Sequence, residues 1–164
     1  MLSNKIKSIT KLSIVAALYV ALTYIFGFMS FGEIQFRIAE ILMLLCFFNR
    51  KYTISLVIGC FISNLFSPYG LPDIIFGTLA TFVACLGIMT FNKKHLFLAS
   101  LMVPIGNIIV GIEIAIINSF SLIPALLSVL WVFIGEFVVV CIVGVPLIKL
   151  LMKNEKFEEL VFDI

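Results

Sequence analysis

The nineteen residues Ser30-Phe31-Gly32-Glu33-Ile34-Gln35-Phe36-Arg37-Ile38-Ala39-Glu40-Ile41-Leu42-Met43-Leu44-Leu45-Cys46-Phe47-Phe48 set how many times this chain crosses a lipid bilayer. Only nine uncharged residues, Ile41–Asn49, separate Glu40 from Arg50, too few to span unaided. A helix begun at Ser30 reaches ~28 Å at the α-helical rise, just enough to cross. Charge decides between the two readings. Lysine and arginine cluster as Lys5, Lys7 and Lys11, then Arg50 and Lys51, then Lys93 and Lys94, then Lys149, Lys153 and Lys156, with Arg37 alone outside the clusters. If Ser30–Phe48 crosses and the N-terminus is cytoplasmic, ten of the eleven basic residues face the cytoplasm, as the positive-inside rule requires. If it does not cross, eight of them lie outside. Six crossings satisfy the rule.

The rest of the chain fits that count. Uncharged stretches at Leu12–Gly32, Tyr52–Pro72, Ile74–Asn92, His95–Ile112 and Ile114–Gly135, the last continuing past Glu136 to Ile148, mark the other spans. The 164 residues are 63% apolar and 12% charged, with a mean hydropathy of +1.26. That charge content is about half the ~25% of soluble domains, which excludes a soluble globular protein, a nucleic-acid binder and a disordered chain. Six spans of ~20 residues use about 120, leaving no room for a soluble domain. The expectation is a single all-α integral membrane bundle of six transmembrane helices in the plasma membrane. The helices lie near 9–29, 31–48, 52–66, 73–91, 96–117 and 122–151, and both termini are cytoplasmic. Pro68, Gly70 and Pro72 form one outer turn, and Asn118–Pro124 forms the other. Asn49–Lys51 and Asn92–His95 are inner turns, and the acidic, amphipathic tail Asn154–Ile164 lies at the inner surface. No small-residue cleavage site follows the first apolar run, so a removable signal peptide is not expected. No internal repeat of the inverted kind is visible.

Several chemistries are missing. No glycine is followed by lysine, so the chain has no Walker A loop and no ATP site of its own. Cys46, Cys60, Cys85 and Cys141 all lie in apolar spans without Cys-x-x-Cys spacing and read as small buried hydrophobes. The single histidine, His95, sits beside Lys93 and Lys94 at an inner turn. With no histidine–carboxylate or cysteine–histidine cluster, neither a metal nor a catalytic nucleophile is expected. No cofactor and no enzymatic activity are expected.

Polar groups inside the spans carry the functional signal, because an acid at mid-membrane costs about 2.5–3.5 kcal/mol on insertion scales. Glu113 lies ~28 Å and Glu136 ~20 Å from the inner boundary at helical rise, which puts both in the outer half. Glu33, Arg37 and Glu40 share one face of the second helix at i, i+4 and i+7, at the same depth. Five charges from three helices therefore suggest a polar cavity opening outward. Glu33, Arg37 and Glu40 can alternatively form a self-neutralising triad that pins the loop. If Arg37 serves two acids, one of Glu113 and Glu136 lacks a cation, and a ligand or a proton must satisfy it. Asn107 follows Pro104 and Gly106, which weaken helix five; it and Asn64 either contact a ligand or hydrogen-bond between helices. Asp73 follows Pro72 and suits a helix cap. Phe36, Tyr69, Phe76 and Trp131 offer faces for a flat ligand, or simply face lipid and core. Ser13, Ala17 and Ala21 recur every four residues as a small-residue face, which packs within the bundle or docks a partner.

These stretches resemble a known family. Gly32-Glu33-Ile34-Gln35-Phe36-Arg37-Ile38-Ala39-Glu40 is similar to the first outer-loop motif of the QueT family. Gly59-Cys60-Phe61-Ile62-Ser63-Asn64-Leu65-Phe66-Ser67-Pro68 resembles its third-helix signature, and Gly70-Leu71-Pro72-Asp73-Ile74-Ile75-Phe76-Gly77-Thr78-Leu79-Ala80-Thr81 its fourth. Asn107 with Val110-Gly111-Ile112-Glu113, and Gly135-Glu136 with Gly144-Val145-Pro146-Leu147, resemble the last two. The resemblance runs from about residue 13 to residue 150. It implies the substrate-binding (S) component of an energy-coupling factor (ECF) transporter. Such a subunit captures a queuosine precursor, a 7-deazaguanine, from outside and works with an EcfT-like membrane scaffold subunit and two ATPases. It also implies that Ala17 and Ala21 face the scaffold and that the loop after helix one gates the pocket. A carboxylate at Glu113 or Glu136 would accept the ring N–H and exocyclic amine in parallel, with Asn107 or Gln35 reading another edge. Arg37, Glu40, Asn64, Asp73, Phe36 and Trp131 complete the expected site. A stand-alone proton-coupled carrier and a purely structural membrane subunit are the competing classes.

Overall fold

A computed structural model describes residues 2–31, 35–91, 95–118 and 122–162. Every regular element among them is helical. Four segments are long and apolar enough to cross a membrane: Lys5–Ile25, Leu71–Thr90, Leu96–Ile117 and Leu122–Leu151. Two shorter apolar helices, Ile38–Phe47 and Tyr52–Asn64, lie among them.

The first segment is α1 (Leu2–Ile25) followed by a single turn, α2 (Gly27–Ser30). The second departs from the helix expected over 31–48. Gln35–Arg37 have no regular structure, and Ile38–Phe47 winds as a 3-10 helix instead of an α-helix. Arg37 stands at its N-cap with φ −88° and ψ 87°, outside the helical region. The shared face of Glu33, Arg37 and Glu40 therefore does not form as an α-helical stripe, and Glu33 itself lies outside the described residues. A 3-10 run this long is uncommon. This one is buried almost all round, with eight of its ten residues inside the bundle, so packing overrides its poorer hydrogen-bond geometry. At ~2.0 Å per residue it covers ~20 Å, where an α-helix of equal length covers ~15 Å.

α3 (Tyr52–Asn64) and α4 (Leu71–Thr90) flank the turn that carries Pro68 and Gly70. Gly70 has φ +70°, a left-handed conformation that costs glycine little. The fifth segment is broken into α5 (Leu96–Ser100), α6 (Met102–Gly106) and α7 (Ile108–Asn118). Pro104 supplies no N–H, and Asn107 joins the pieces at ψ −2°, the weakening that Pro104 and Gly106 predict. The sixth segment is α8 (Leu122–Glu136), a π-helical stretch Phe137–Gly144, and α9 (Val145–Leu151). Pro146 would press on the carbonyl four residues earlier in an α-helix. Widening to the five-residue bond from Val145 N–H to the Val140 carbonyl relieves that contact. The turn residues 92–94 and 119–121 lie outside the described residues.

The core lies where α1, α3, the 3-10 helix and the π stretch meet, around Leu44, Leu56, Ile88, Val103 and Val140. Close helix approach depends on Gly59, whose absent side chain would stand 3.0 Å from both the Ala16 carbonyl and Tyr19 Cβ. The tail forms α10 (Glu155–Phe162) and docks beside the N-terminal helix. Lys11, Lys156, Glu159 and Leu160 line one cleft there. Tyr52 Oη donates to the Val161 carbonyl at 3.4 Å, and Phe48 meets Phe162 edge-on. N-terminal helix, tail and the 49–51 turn thus share one end. Gln35–Arg37 and the turn before α4 occupy the other.

Candidate functional site

At that second end, polar side chains from seven elements or loops turn inward. Gln35, Arg37, Glu40, Asn64, Asp73, Asn107, Glu113 and Glu136 each expose 3% or less of their surface. Local sequence explains how they meet. A Cβ at Gly135 would stand 2.5 Å from the Gln35 carbonyl oxygen, so only glycine lets the 35–37 strand of chain lie flat on α8 next to Glu136. A Cβ at Gly77 would stand 2.6 Å from Asn64 Nδ2, so that glycine gives the amide its seat. The Asn107 joint aims its side chain at the 3-10 helix.

Arg37 occupies the middle. Its Nη1 lies 3.7 Å from Glu40 Oε1 and 4.0 Å from Cys60 Sγ, and its guanidinium sits 5.7 Å over the Phe31 ring. Glu40 Oε2 accepts from Asn107 Nδ2 at 2.5 Å. Glu136 faces Glu40 and the Arg37 backbone. On the other side, Glu113 faces Asp73, whose carboxylate accepts from Ser67 Oγ. Asn64 Nδ2 donates to the Asp73 carbonyl at 2.9 Å and to Cys60 Sγ at 3.4 Å. Thr81 Oγ1 donates to the same sulfur at 3.1 Å.

Much of this cluster is unsatisfied. Gln35 Nε2, Arg37 Nε and Nη2, Glu40 Oε1, Asn64 Oδ1, Asp73 Oδ1, Thr78 Oγ1 and both carboxylate oxygens of Glu113 and of Glu136 are buried without a hydrogen-bond partner. Each such atom costs about 1–3 kcal/mol, so the cluster is not a device for stability. Its charges do not balance either. Four carboxyl groups share Arg37, and no other basic side chain is buried among the described residues. Two facing carboxyl groups must share a proton or hold a donor group between them. The arrangement is suited to receiving a small molecule rich in hydrogen-bond donors.

Eight of the residues expected at a site are therefore together. Asp73 is in the first turn of α4, with Gly70 as the cap, so it belongs to the cluster more than to the helix end. Phe36 is half-buried against the apolar core. Trp131 is 41% exposed on α8, and Phe76 is exposed on α4, so neither ring is enclosed with the acids. Ser13, Ala17 and Ala21 are exposed along α1; this face does not pack within the bundle. Cys60, Ser67 and Thr81 join the polar network, and the unpartnered Thr78 Oγ1 lies buried too, although their sequence context is apolar. Their one signal is spacing: Thr78 and Thr81 follow Gly77 on the inward face of α4.

Comparison with known proteins gives this cluster a family. The sequence profile of the family described as "QueT transporter" matches residues 9–153, a range that contains every cluster residue. The queuosine precursor transporter QueT of Lactococcus lactis subsp. cremoris (strain MG1363) is 45% identical over 96 residues, covering 57% of this chain and 56% of that relative. No solved structure matches. A multi-helix apolar bundle enclosing a donor-seeking polar cluster is what a small-molecule transporter requires, and on the matched span the chain belongs to the QueT transporter family.

Proposed function

We propose that this chain is the substrate-capture (S) component of an ATP-driven ECF importer and binds a 7-deazaguanine queuosine precursor. The carrying observation is the buried set of unpartnered carboxyl, amide and guanidinium groups around Arg37. A 7-deazaguanine offers an adjacent ring N–H and exocyclic amine, which one carboxylate accepts in parallel; Glu136 or Glu113 takes that pair. The unpartnered Gln35 Nε2 and Arg37 Nη2 donate to the ring carbonyl. Asn107 reads the edge less directly, since it already holds Glu40. Gln35–Arg37, lying on Gly135, is the cover that must lift for entry.

The same reading sets the membrane geometry. The 3-10 helix supplies ~20 Å and the irregular Gln35–Arg37 lead into it, which together carry the second segment across. With α3 also crossing, there are six spans, both termini are cytoplasmic and the cluster faces outward in the plasma membrane. The exposed Ser13, Ala17 and Ala21 face of α1 then docks the membrane scaffold, and two partner ATPases drive the cycle.

Equilibrium binding of queuine and its smaller precursors to the purified protein in detergent, with guanine as control, tests the assignment. Tight binding without ATP or partners is expected. Absence of binding to every deazapurine sinks the substrate, and unchanged binding in both Glu113→Gln and Glu136→Gln sinks the site. The facing carboxyl pairs also suit a proton-coupled carrier, which predicts uptake in cells that lack ECF ATPases.

A further inference from the structure

We infer that the cavity at the opposite end of the bundle from the polar cluster, with Arg50 at its mouth, holds the phosphate-bearing headgroup of an anionic phospholipid. This is a second site, separate from the one that captures a solute, and it does not depend on the deazaguanine reading. Its chemistry is a phosphate ester joined to an apolar tail. The cavity has a volume of about 590 Å³ and lies between the 49–51 turn, the end of α4 and the tail helix α10. That is the size of an ordinary small-molecule site.

Local sequence builds the walls. Phe47, Phe48 and Phe162 stand edge to face in succession, with ring centroids 5.3 Å apart for the first pair and 6.0 Å for the second. Phe91 ends α4 with φ −83° and ψ 122°, so the chain turns away there and the helix end, with Met89, forms the facing wall. Cys46, 3% exposed, lies at depth. Asn49 Oδ1 accepts from the Lys51 N–H at 3.1 Å, which pins the turn and leaves Arg50 at the exposed rim. The Arg50 side chain makes no ion pair among the described residues. The cavity is therefore apolar at depth and cationic at its mouth. A soluble anion would meet the guanidinium and gain nothing from the four phenyl rings. An uncharged apolar molecule would cover the rings and leave the cation unused. An anionic phospholipid satisfies both, because the guanidinium takes phosphate oxygens in parallel while the glycerol and first methylenes cover the rings. Position agrees with chemistry. In the orientation proposed above, this end lies in the cytoplasmic leaflet, whose anionic lipids bind basic pockets between helices.

The test measures lipid retention by native mass spectrometry on the full-length protein in a neutral detergent, with the melting temperature in parallel. The probes are phosphatidylglycerol, phosphatidylcholine (whose choline cancels the charge of the same phosphate) and soluble glycerol 3-phosphate. Phosphatidylglycerol should bind about fivefold or more tighter than phosphatidylcholine and raise the melting temperature; glycerol 3-phosphate at the same concentration should not. Arg50→Gln should abolish the preference. Lys149→Gln, which removes the same charge from the same end outside the cavity, should keep it. Met89→Trp, which fills the cavity and keeps every charge, should weaken phosphatidylglycerol retention. Arg50 is exposed, so its variant keeps the fold, and melting temperatures without lipid check all three variants. Equal retention of the two lipids by the unaltered protein overturns the inference. Equal loss of preference in Arg50→Gln and Lys149→Gln also overturns it, since a positive surface then attracts anionic lipid without a site. Unchanged retention in a folded Met89→Trp removes the cavity as the seat. Stabilisation by glycerol 3-phosphate as large as by phosphatidylglycerol makes the ligand a soluble phosphate and overturns the lipid. Each of these failures leaves the deazaguanine reading standing, because binding at the polar cluster is measured separately.

Discussion

Gly135 and Glu136 are neighbours with opposite demands. Adding one methyl group at Gly135 would bring it to 2.5 Å from the Gln35 carbonyl oxygen and 3.0 Å from the carbonyl carbon, both backbone atoms that cannot rotate away. Gly135→Ala should therefore cost about 1–3 kcal/mol, as overpacking does, and lift the Arg37 segment off Glu136. Thermal unfolding and ligand binding should fall together; a stable variant with intact binding would show that the cover is not held there. Glu136 predicts the reverse for stability. Its carboxyl is fully buried with both oxygens unpartnered, and a neutral amide of the same shape is cheaper to bury. Glu136→Gln should raise the melting temperature of the ligand-free protein by about 2–4 °C per kcal/mol relieved while shrinking the ligand-induced shift. A lower melting temperature would make Glu136 a structural residue. The acids were legible in the sequence because charge inside a span has few uses. Thr78, Thr81 and Cys60 were not, because such residues blend into apolar helices by bonding locally, and here Cys60 accepts from Thr81 across helices instead. Trp131 stands exposed on α8 away from the acids, where an aromatic ring is equally at home against lipid.

Helices in this bundle obey length more faithfully than type. The sequence predicts an α-helix from Ser30 for the second segment, and the structure reaches depth differently, with the irregular Gln35–Arg37 followed by a 3-10 helix from Ile38. Nothing in Ile41–Phe47 could reveal this, since seven consecutive apolar residues carry no period to distinguish 3.0 from 3.6 residues per turn. The breaks in the fifth and sixth segments were more visible, because Pro104 and Pro146 each remove a donor. For α1 the sequence left two uses for its small-residue face, and its exposure removes packing within the bundle while leaving a partner's docking a proposal. Leu12, Val15 and Leu22 pack on the core, whereas Ser13, Ala17 and Ala21 point away from it. Small residues facing outward let a partner helix approach closely in lipid. Ala17→Leu and Ala21→Leu should each abolish uptake in cells carrying the ECF scaffold and ATPases, yet leave binding by the purified protein unchanged. Parallel loss of binding and uptake would indicate damage to the fold and remove the docking role.

The whole bundle is polarised, and that polarity can be checked without a ligand. Lys11 and Lys156 line one cleft, and the tail helix meets the 49–51 turn through Tyr52 and Phe48. Basic residues from the first, second and last clusters therefore gather at a single end, the result the positive-inside rule demands only if an even number of segments crosses. The acids Asp73, Glu113 and Glu136 gather toward the other, the end that the proposed capture role requires to face outward. The count turns on two segments, Ile38–Phe47 and Tyr52–Asn64, which are shorter than ordinary spans. Cysteines introduced at exposed Lys7, Pro68 and Lys156 resolve it, since Cys46, Cys60, Cys85 and Cys141 are all buried and react slowly by comparison. A membrane-impermeant maleimide should label Pro68→Cys in intact cells and reach Lys7→Cys and Lys156→Cys only after permeabilisation. Labelling of Lys7→Cys and Lys156→Cys from opposite sides would mean an odd number of crossings, so that one short helix turns back within the bilayer. Labelling of Lys7→Cys and Lys156→Cys in intact cells, with Pro68→Cys reached only after permeabilisation, would invert the bundle and turn the acidic cluster toward the cytoplasm, where it could release a solute but not capture one.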